Sequence, residues 1–146
     1  MRLRLFFSLV FSLLLTLPAL GQNYVYSGIN DAALDGGNYY GFGWGGPELF
    51  NEIEWGHNRD QDQLAFYGKY DIPLWRDHVH ALLGFGIVNF WGKDDSFWDR
   101  LMPDVAVVKG GVNVRVFGPL YLEGLAENSY FGPERARYKL QLRFNF

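Results

Sequence analysis

The 146-residue sequence contains no cysteine. No disulfide can staple the chain, and no thiol is present to accept a lipid anchor. Basic residues are not in excess either: 13 Lys and Arg stand against 16 Asp and Glu, a net charge of −3. A nucleic-acid surface needs the opposite balance, so no nucleic-acid partner is expected. Beyond residue 20 no apolar run approaches the roughly 20 residues of a spanning helix. Yet 18% of the residues are aromatic, and 18 are glycine. Large apolar side chains that recur without forming long runs are arranged most naturally on strands.

The one long apolar stretch opens the chain, MRLRLFFSLVFSLLLTLPALGQ. Arg2 and Arg4 form a positive n-region, Leu5 to Leu17 an apolar h-region, and Pro18 breaks the run. Ala19-Leu20-Gly21 supplies small residues at cleavage spacing. Residues 1–21 are therefore expected to be a secretory signal peptide cut before Gln22, leaving residues 22–146 as one domain. Without Arg2 and Arg4, eleven bases face sixteen acids.

Turn signals divide the rest into eight segments of strand length. They are Asn23–Ile29, Asn38–Gly45, Leu49–His57, Leu64–Ile72, His78–Trp91, Val105–Phe117, Leu120–Glu127 and Tyr138–Phe146. Most alternate. In NYYGFGWG, Tyr40, Phe42 and Trp44 oppose Gly41, Gly43 and Gly45. In YKLQLRFNF, Tyr138, Leu140, Leu142, Phe144 and Phe146 oppose Lys139, Gln141, Arg143 and Asn145.

The connections alternate too. Gly46-Pro47, Pro73–Asp77 and Gly118-Pro119 read as tight turns with proline presetting φ at the corner. NDAALDGG, NRDQDQ, GKDDSFWDRLMPD and NSYFGPER are longer and polar. Short turns at one end and long loops at the other is the pattern of a transmembrane barrel, with the short end periplasmic. The same register places Trp44, Tyr70, Phe144 and Phe146 near the periplasmic interface. It places Tyr40, Trp91 and Tyr138 near the outer one, giving two aromatic girdles.

On these features the chain resembles the small bacterial outer-membrane β-barrels of the outer-membrane protein A transmembrane-domain and outer-membrane protein X type. The resemblance spans residues 22–146 and implies an all-β, eight-stranded, antiparallel up-and-down transmembrane β-barrel in the bacterial outer membrane. It further implies that Tyr138, Leu140, Leu142, Phe144 and Phe146 form the signal read by the barrel assembly machinery. The surrounding partners are outer-membrane lipid and lipopolysaccharide, and the barrel is expected to be a monomer.

The inward-facing set contains Glu52, Glu54, Asp71, Glu123 and Glu127 with Lys69, Lys109, Arg115, Arg137, Lys139 and Arg143. Strands seven and eight are antiparallel neighbours, so Glu127 should lie near Arg137 or Lys139, and Glu123 near Arg143. Arg115 is expected to reach Glu123 from the other side. Eight strands enclose only enough room for side chains, and charges in such a space must be paired. Glycines 41, 43, 45, 84 and 86 are expected to make room for long Arg, Lys and Tyr side chains, closing the lumen rather than leaving a channel.

No catalytic, cofactor or metal site is expected. His78 and His80 share a face but lack a third ligand. Asn58, Asp60 and Asp62 resemble the start of a calcium loop without its glycine and distal glutamate. Asp31, Asp35, Asp60, Asp62, Asp94, Asp95, Asp99 and Asp104 fall in outer loops, where they serve solubility or hold cations that bridge to lipopolysaccharide. GFGWGG resembles the lipocalin Gly-x-Trp pattern, but a soluble lipid-binding barrel needs no outward aromatic band. Some small barrels cleave or transfer lipid A acyl chains. His57, Ser96 and Ser129 are the residues at the corresponding end, but no His-x-Ser pair brings base and nucleophile into reach. The reading is a non-enzymatic barrel with a membrane-structural or surface-interaction role. The alternatives are a lipid A-modifying acyl hydrolase or transferase, and a small pore.

If the last strand closes the barrel, deleting Phe144–Phe146 impairs insertion itself. The yield of heat-modifiable, protease-resistant barrel from the truncated gene measures this. Yield equal to the full chain contradicts the assignment.

Overall fold

Alternation has one geometric consequence: each strand has an apolar face and a polar face, and eight such strands satisfy both only by curling the polar faces inward. In a computed structural model, residues 21–30, 37–57, 61–92, 95–96, 103–129 and 137–146 are described. Their strands form a closed antiparallel barrel in chain order. The strands are β1 (Gln22–Asn30), β2 (Asn38–Gly45), β3 (Leu49–His57), β4 (Asp62–Trp75), β5 (Val79–Trp91), β6 (Val105–Phe117), β7 (Leu120–Ser129) and β8 (Arg137–Asn145). Of residues 1–21, expected to be a signal peptide, 1–20 lie outside the described residues.

Closure comes from β1, which pairs with both β2 and β8: Val25 sits opposite Phe42 on one side and Phe144 on the other. No strand edge is left open. Among the described residues no helix is long and apolar enough to cross a membrane. A strand wall can do so because closure bonds every backbone N–H and C=O within the sheet.

The bounds of β2, β3 and β6 coincide with the sequence segments, whereas β4 is longer than Leu64–Ile72. Pro73 lies inside β4 at a register irregularity between Pro73 and Trp75, where its missing N–H is tolerated. The corner is made instead by Arg76 and Asp77, with φ of 44° and 58°, closed by His78 N donating to Trp75 O at 2.8 Å. Two left-handed central residues give the hairpin twist that matches the flanking strands. At the β6–β7 corner Gly118 takes φ 52° before Pro119.

The faces separate as alternation requires. On β8, Leu142 is 51% exposed and its neighbour Gln141 2%. Tyr40, Trp55 and Tyr138 stand outward near the long-loop end, and Tyr70, Phe144 and Phe146 near the short-turn end. Two members expected in the girdles are covered. Trp44 stacks on Phe42 with ring centroids 5.7 Å apart, and Trp91 meets Trp55 edge-on at 5.8 Å. An aromatic beside another on a curved wall buries itself against that neighbour, which alternation alone does not reveal.

In a bilayer, Leu142→Arg is expected to cost about 2–4 kcal/mol near the midplane, and less near an interface. Spin labels at positions 141 and 142 read the register. A lipid-soluble quencher should reach 142 and not 141, and equal quenching at both overturns it.

Candidate functional site

The inward positions of β3, β4, β6, β7 and β8 bring their charges into one narrow volume, and these charges decide what it can do. Five carboxylates (Glu52, Glu54, Asp71, Glu123, Glu127) meet five cations (Lys69, Lys109, Arg137, Lys139, Arg143). Nearly all are removed from water, and each has an opposite charge beside it. An unpaired charge in this setting would be strongly destabilising.

The pairs join into two chains. In the first, Lys109 bonds Glu52, whose Oε1 also meets Lys69 Nζ at 2.6 Å. Lys69 reaches Glu123 at 3.3 Å, and Glu123 Oε1 accepts from Arg143 Nη1 at 3.0 Å. That nitrogen also donates to Asp71 Oδ2 at 3.0 Å, and Asp71 Oδ1 holds His80 Nδ1 at 2.6 Å. In the second, Arg137 lies 3.6 Å from Glu127, an ion pair too long for a hydrogen bond. Glu127 meets Lys139 at 2.9 Å, and Lys139 meets Glu54 at 2.6 Å.

Phenols and amides add further hydrogen bonds to the carboxylates. Tyr24 donates to Glu52 at 2.5 Å, Tyr26 to Glu54 at 3.3 Å and Tyr67 to Glu127 at 3.0 Å. Gln63 donates to Glu54 at 3.0 Å and Gln141 to Glu123 at 2.5 Å, while Tyr39 donates to Gln141 at 3.0 Å. The cations also lie over rings: Arg143 is 3.9 Å from the Tyr24 centroid and Lys109 is 3.7 Å from that of Tyr67. Such contacts strengthen where water is excluded.

The expected pairs Glu127–Lys139, Glu127–Arg137 and Glu123–Arg143 are present. Arg115 is a correction. It sits past the end of the packed lumen, exposed, and its Nε donates to Gly118 O at 2.7 Å in the β6–β7 hairpin. Glu123 is served instead by Lys69, Arg143 and Gln141. The glycines act largely as expected: a Cβ at Gly41 or Gly43 would collide with the Tyr26 or Tyr24 ring. Gly45 differs, because a Cβ there meets the Leu49–Phe50 backbone rather than a long side chain.

Sequence reasoning missed Tyr24, Tyr26 and Tyr39 as lumen members. A signal existed in register: Tyr24 and Tyr26, two residues apart on β1, lie opposite Gly43 and Gly41. Gln63 and His80 carried no charge to mark them as partners.

Several buried atoms lack a protein partner. At the short-turn end these include both amide atoms of Asn113 and Nε2 of its cross-strand neighbour His80. Buried polar atoms of this kind are ordinarily met by water. His78 and His80 each have a separate oxygen partner, Arg76 O at 2.6 Å and Asp71. Among the described residues no group of three or more His, Cys, Asp or Glu is arranged to hold a metal.

At the long-loop end, His57 Nδ1 and Asp62 Oδ1 are 2.5 Å apart on the outer face, above Trp55. His57 ends β3 and Ser129 ends β7, which are not neighbours in the barrel, and Ser96 is exposed beyond β5. Among the loop aspartates, Asp95 accepts from Gly92 N at 2.6 Å and Asp104 from Phe90 N at 2.8 Å. These carboxylates fix loop ends to the strand. Asn58 and Asp60, and Asp31, Asp35, Asp94 and Asp99, lie outside the described residues.

No protein-family model matches this sequence, and no curated protein sequence does. Solved structures do match. The N-terminal β-barrel domain of Pseudomonas aeruginosa OprF superposes with a TM-score of 0.65 at 12% identity, over 87% of this chain and 100% of that one. The fold is that of a small outer-membrane barrel. The de novo designed TMB2.3 matches with a TM-score of 0.59 at 14% identity, over 86% of this chain and 93% of the design. The outer membrane enzyme PagL overlaps at a TM-score of 0.48 and 12% identity, over 86% and 98%. At that level no residue role transfers from it.

Within the lumen, Glu52 is the carboxylate that Lys109 bonds, while both Lys69 and Arg143 keep a second carboxylate when Glu123 is removed. Glu52→Ala is expected to destabilise the barrel by about 3–5 kcal/mol, and Glu123→Ala by less. Urea unfolding in lipid vesicles orders the two, and the reverse order contradicts the pairing.

Proposed function

We propose that the protein is a monomeric, non-enzymatic barrel of the bacterial outer membrane with a membrane-structural or surface-interaction role. Its recognition is carried by the long-loop end, and its lumen is plugged by ion pairs. The observation that carries the reading is the charge-matched, ring-packed interior, in which two ion-pair chains occupy the space that a pore would need. The outward aromatic and aliphatic wall supports contact with lipid, and the C-terminal alternation from Tyr138 to Phe146 supports delivery by the barrel assembly machinery. Lipopolysaccharide is the partner at the long-loop rim, and the fold neighbours support the outer membrane as the location.

A second reading rests on the His57–Asp62 pair, since a carboxylate that holds one imidazole nitrogen leaves the other as a base. This reading is a lipid A acyl hydrolase or transferase. Mass analysis of lipid A from cells making the wild type or His57→Ala separates it: a lost acyl chain that returns with the variant favours the enzyme.

For the plugged barrel, purified wild type in planar bilayers is expected to give no steady ion current. A stable, well-defined conductance makes the protein a small channel and overturns the reading.

A further inference from the structure

The outward wall is not uniformly apolar. Beside the β2–β3 turn lies a recess of about 480 Å³, lined by Pro47, Glu48, Leu49, Asn51 and Tyr70 with the turn glycines. Its size falls within the range of small-molecule sites. Leu49, Asn51 and Tyr70 lie on the outward-facing register of β3 and β4, where Leu49 and Tyr70 are exposed. The recess therefore opens to the barrel's surroundings and not to the lumen.

Three features define what fits. Asn51 places an amide on a face where its strand neighbours are Leu49, Ile53 and Trp55. Glu48, exposed in the turn, is the one charged side chain lining the recess among the described residues. Above Asn51 the wall is missing a side chain: Gly68 is its cross-strand partner, and a Cβ there would meet only the Phe85 ring, at 3.8 Å. A mostly apolar recess carrying a single carboxylate, beside the gap left at Gly68, has the shape and polarity of a lipid's first chain segment ending in a cationic headgroup. The charge selects the headgroup, because a carboxylate attracts an ammonium and repels a headgroup with net negative charge.

We propose that this recess binds a phospholipid with a primary-ammonium headgroup, drawn from the periplasmic leaflet. Glu48 faces the ammonium, Tyr70 offers a hydrogen bond to the headgroup and glycerol region, and one acyl chain runs over Gly68. The leaflet rests on the orientation proposed above, with short turns in the periplasm. The headgroup preference does not.

The test adds phosphatidylethanolamine or phosphatidylglycerol with identical acyl chains to the purified barrel in non-ionic detergent, and counts retained lipid by native mass spectrometry. Wild type should retain one phosphatidylethanolamine in preference. Glu48→Gln should reduce that preference about three- to fivefold, the scale of an exposed ion pair. Gly68→Leu, which fills the furrow without disturbing the lumen, should weaken retention of both lipids. Equal retention of both lipids by the wild type overturns the site, as does an unchanged preference in Glu48→Gln or displacement by detergent alone. Pro47→Cys, unique in this cysteine-free chain, checks the leaflet separately. Labelling of intact cells by an impermeant reagent overturns the periplasmic assignment and leaves the detergent result standing.

Discussion

A carboxylate inside an eight-stranded barrel has almost no water to turn to, and a lysine there has none either. The rest of the structure follows from that constraint. Ten charges enter the interior because alternation sends most of the wall's charged residues inward. The interior then has to supply each of them with a partner. Two connected chains of ion pairs do so, with tyrosine hydroxyls and glutamine amides donating further hydrogen bonds to the carboxylates. Removing one partner of such a pair costs far more than the intact pair contributes, since a bare buried charge remains.

Wall and lumen are thus two sides of one pattern. Tyr24 and Tyr26 reach the carboxylates on β3 because β2 between them carries Gly43 and Gly41. The same strand puts Tyr40 and Phe42 on the outer face. A larger residue at either glycine would leave the outward side untouched and displace a ring from the network. The small size of the barrel matters as well: a wider one could hydrate its charges and leave them unpaired.

How much of this could be read from the sequence depended on the distance over which each feature acts. Strict alternation in YKLQLRFNF fixed the face of every residue on β8, and the β7–β8 pairs Glu123–Arg143 and Glu127–Lys139 followed from neighbouring strands. Pairs across the lumen did not follow. Lys109–Glu52 and Lys139–Glu54 join strands that are not neighbours, and their meeting depends on how the closed barrel staggers its strands. Arg115 has inward parity, yet it lies at the hairpin, where the lumen has ended and the turn carbonyl is the nearer acceptor. Pro73 was misread for a related reason. A proline signals a corner only when the strand stops there, and β4 continues through it with an irregular register. The long-loop end carries little that composition can decode, because loops leave no periodic signature.

The central claim is that charge pairing across the lumen, rather than wall packing alone, holds the barrel closed. A double-mutant cycle on Glu52 and Lys109 tests it most directly, with Glu52→Gln, Lys109→Met and the double variant unfolded in lipid vesicles. The claim predicts that the two substitutions are strongly non-additive, with a coupling of about 1–3 kcal/mol and a double variant more stable than the worse single one. Additive losses, with coupling near zero, would show that the two charges are stabilised independently and that the paired lumen is not what closes the barrel.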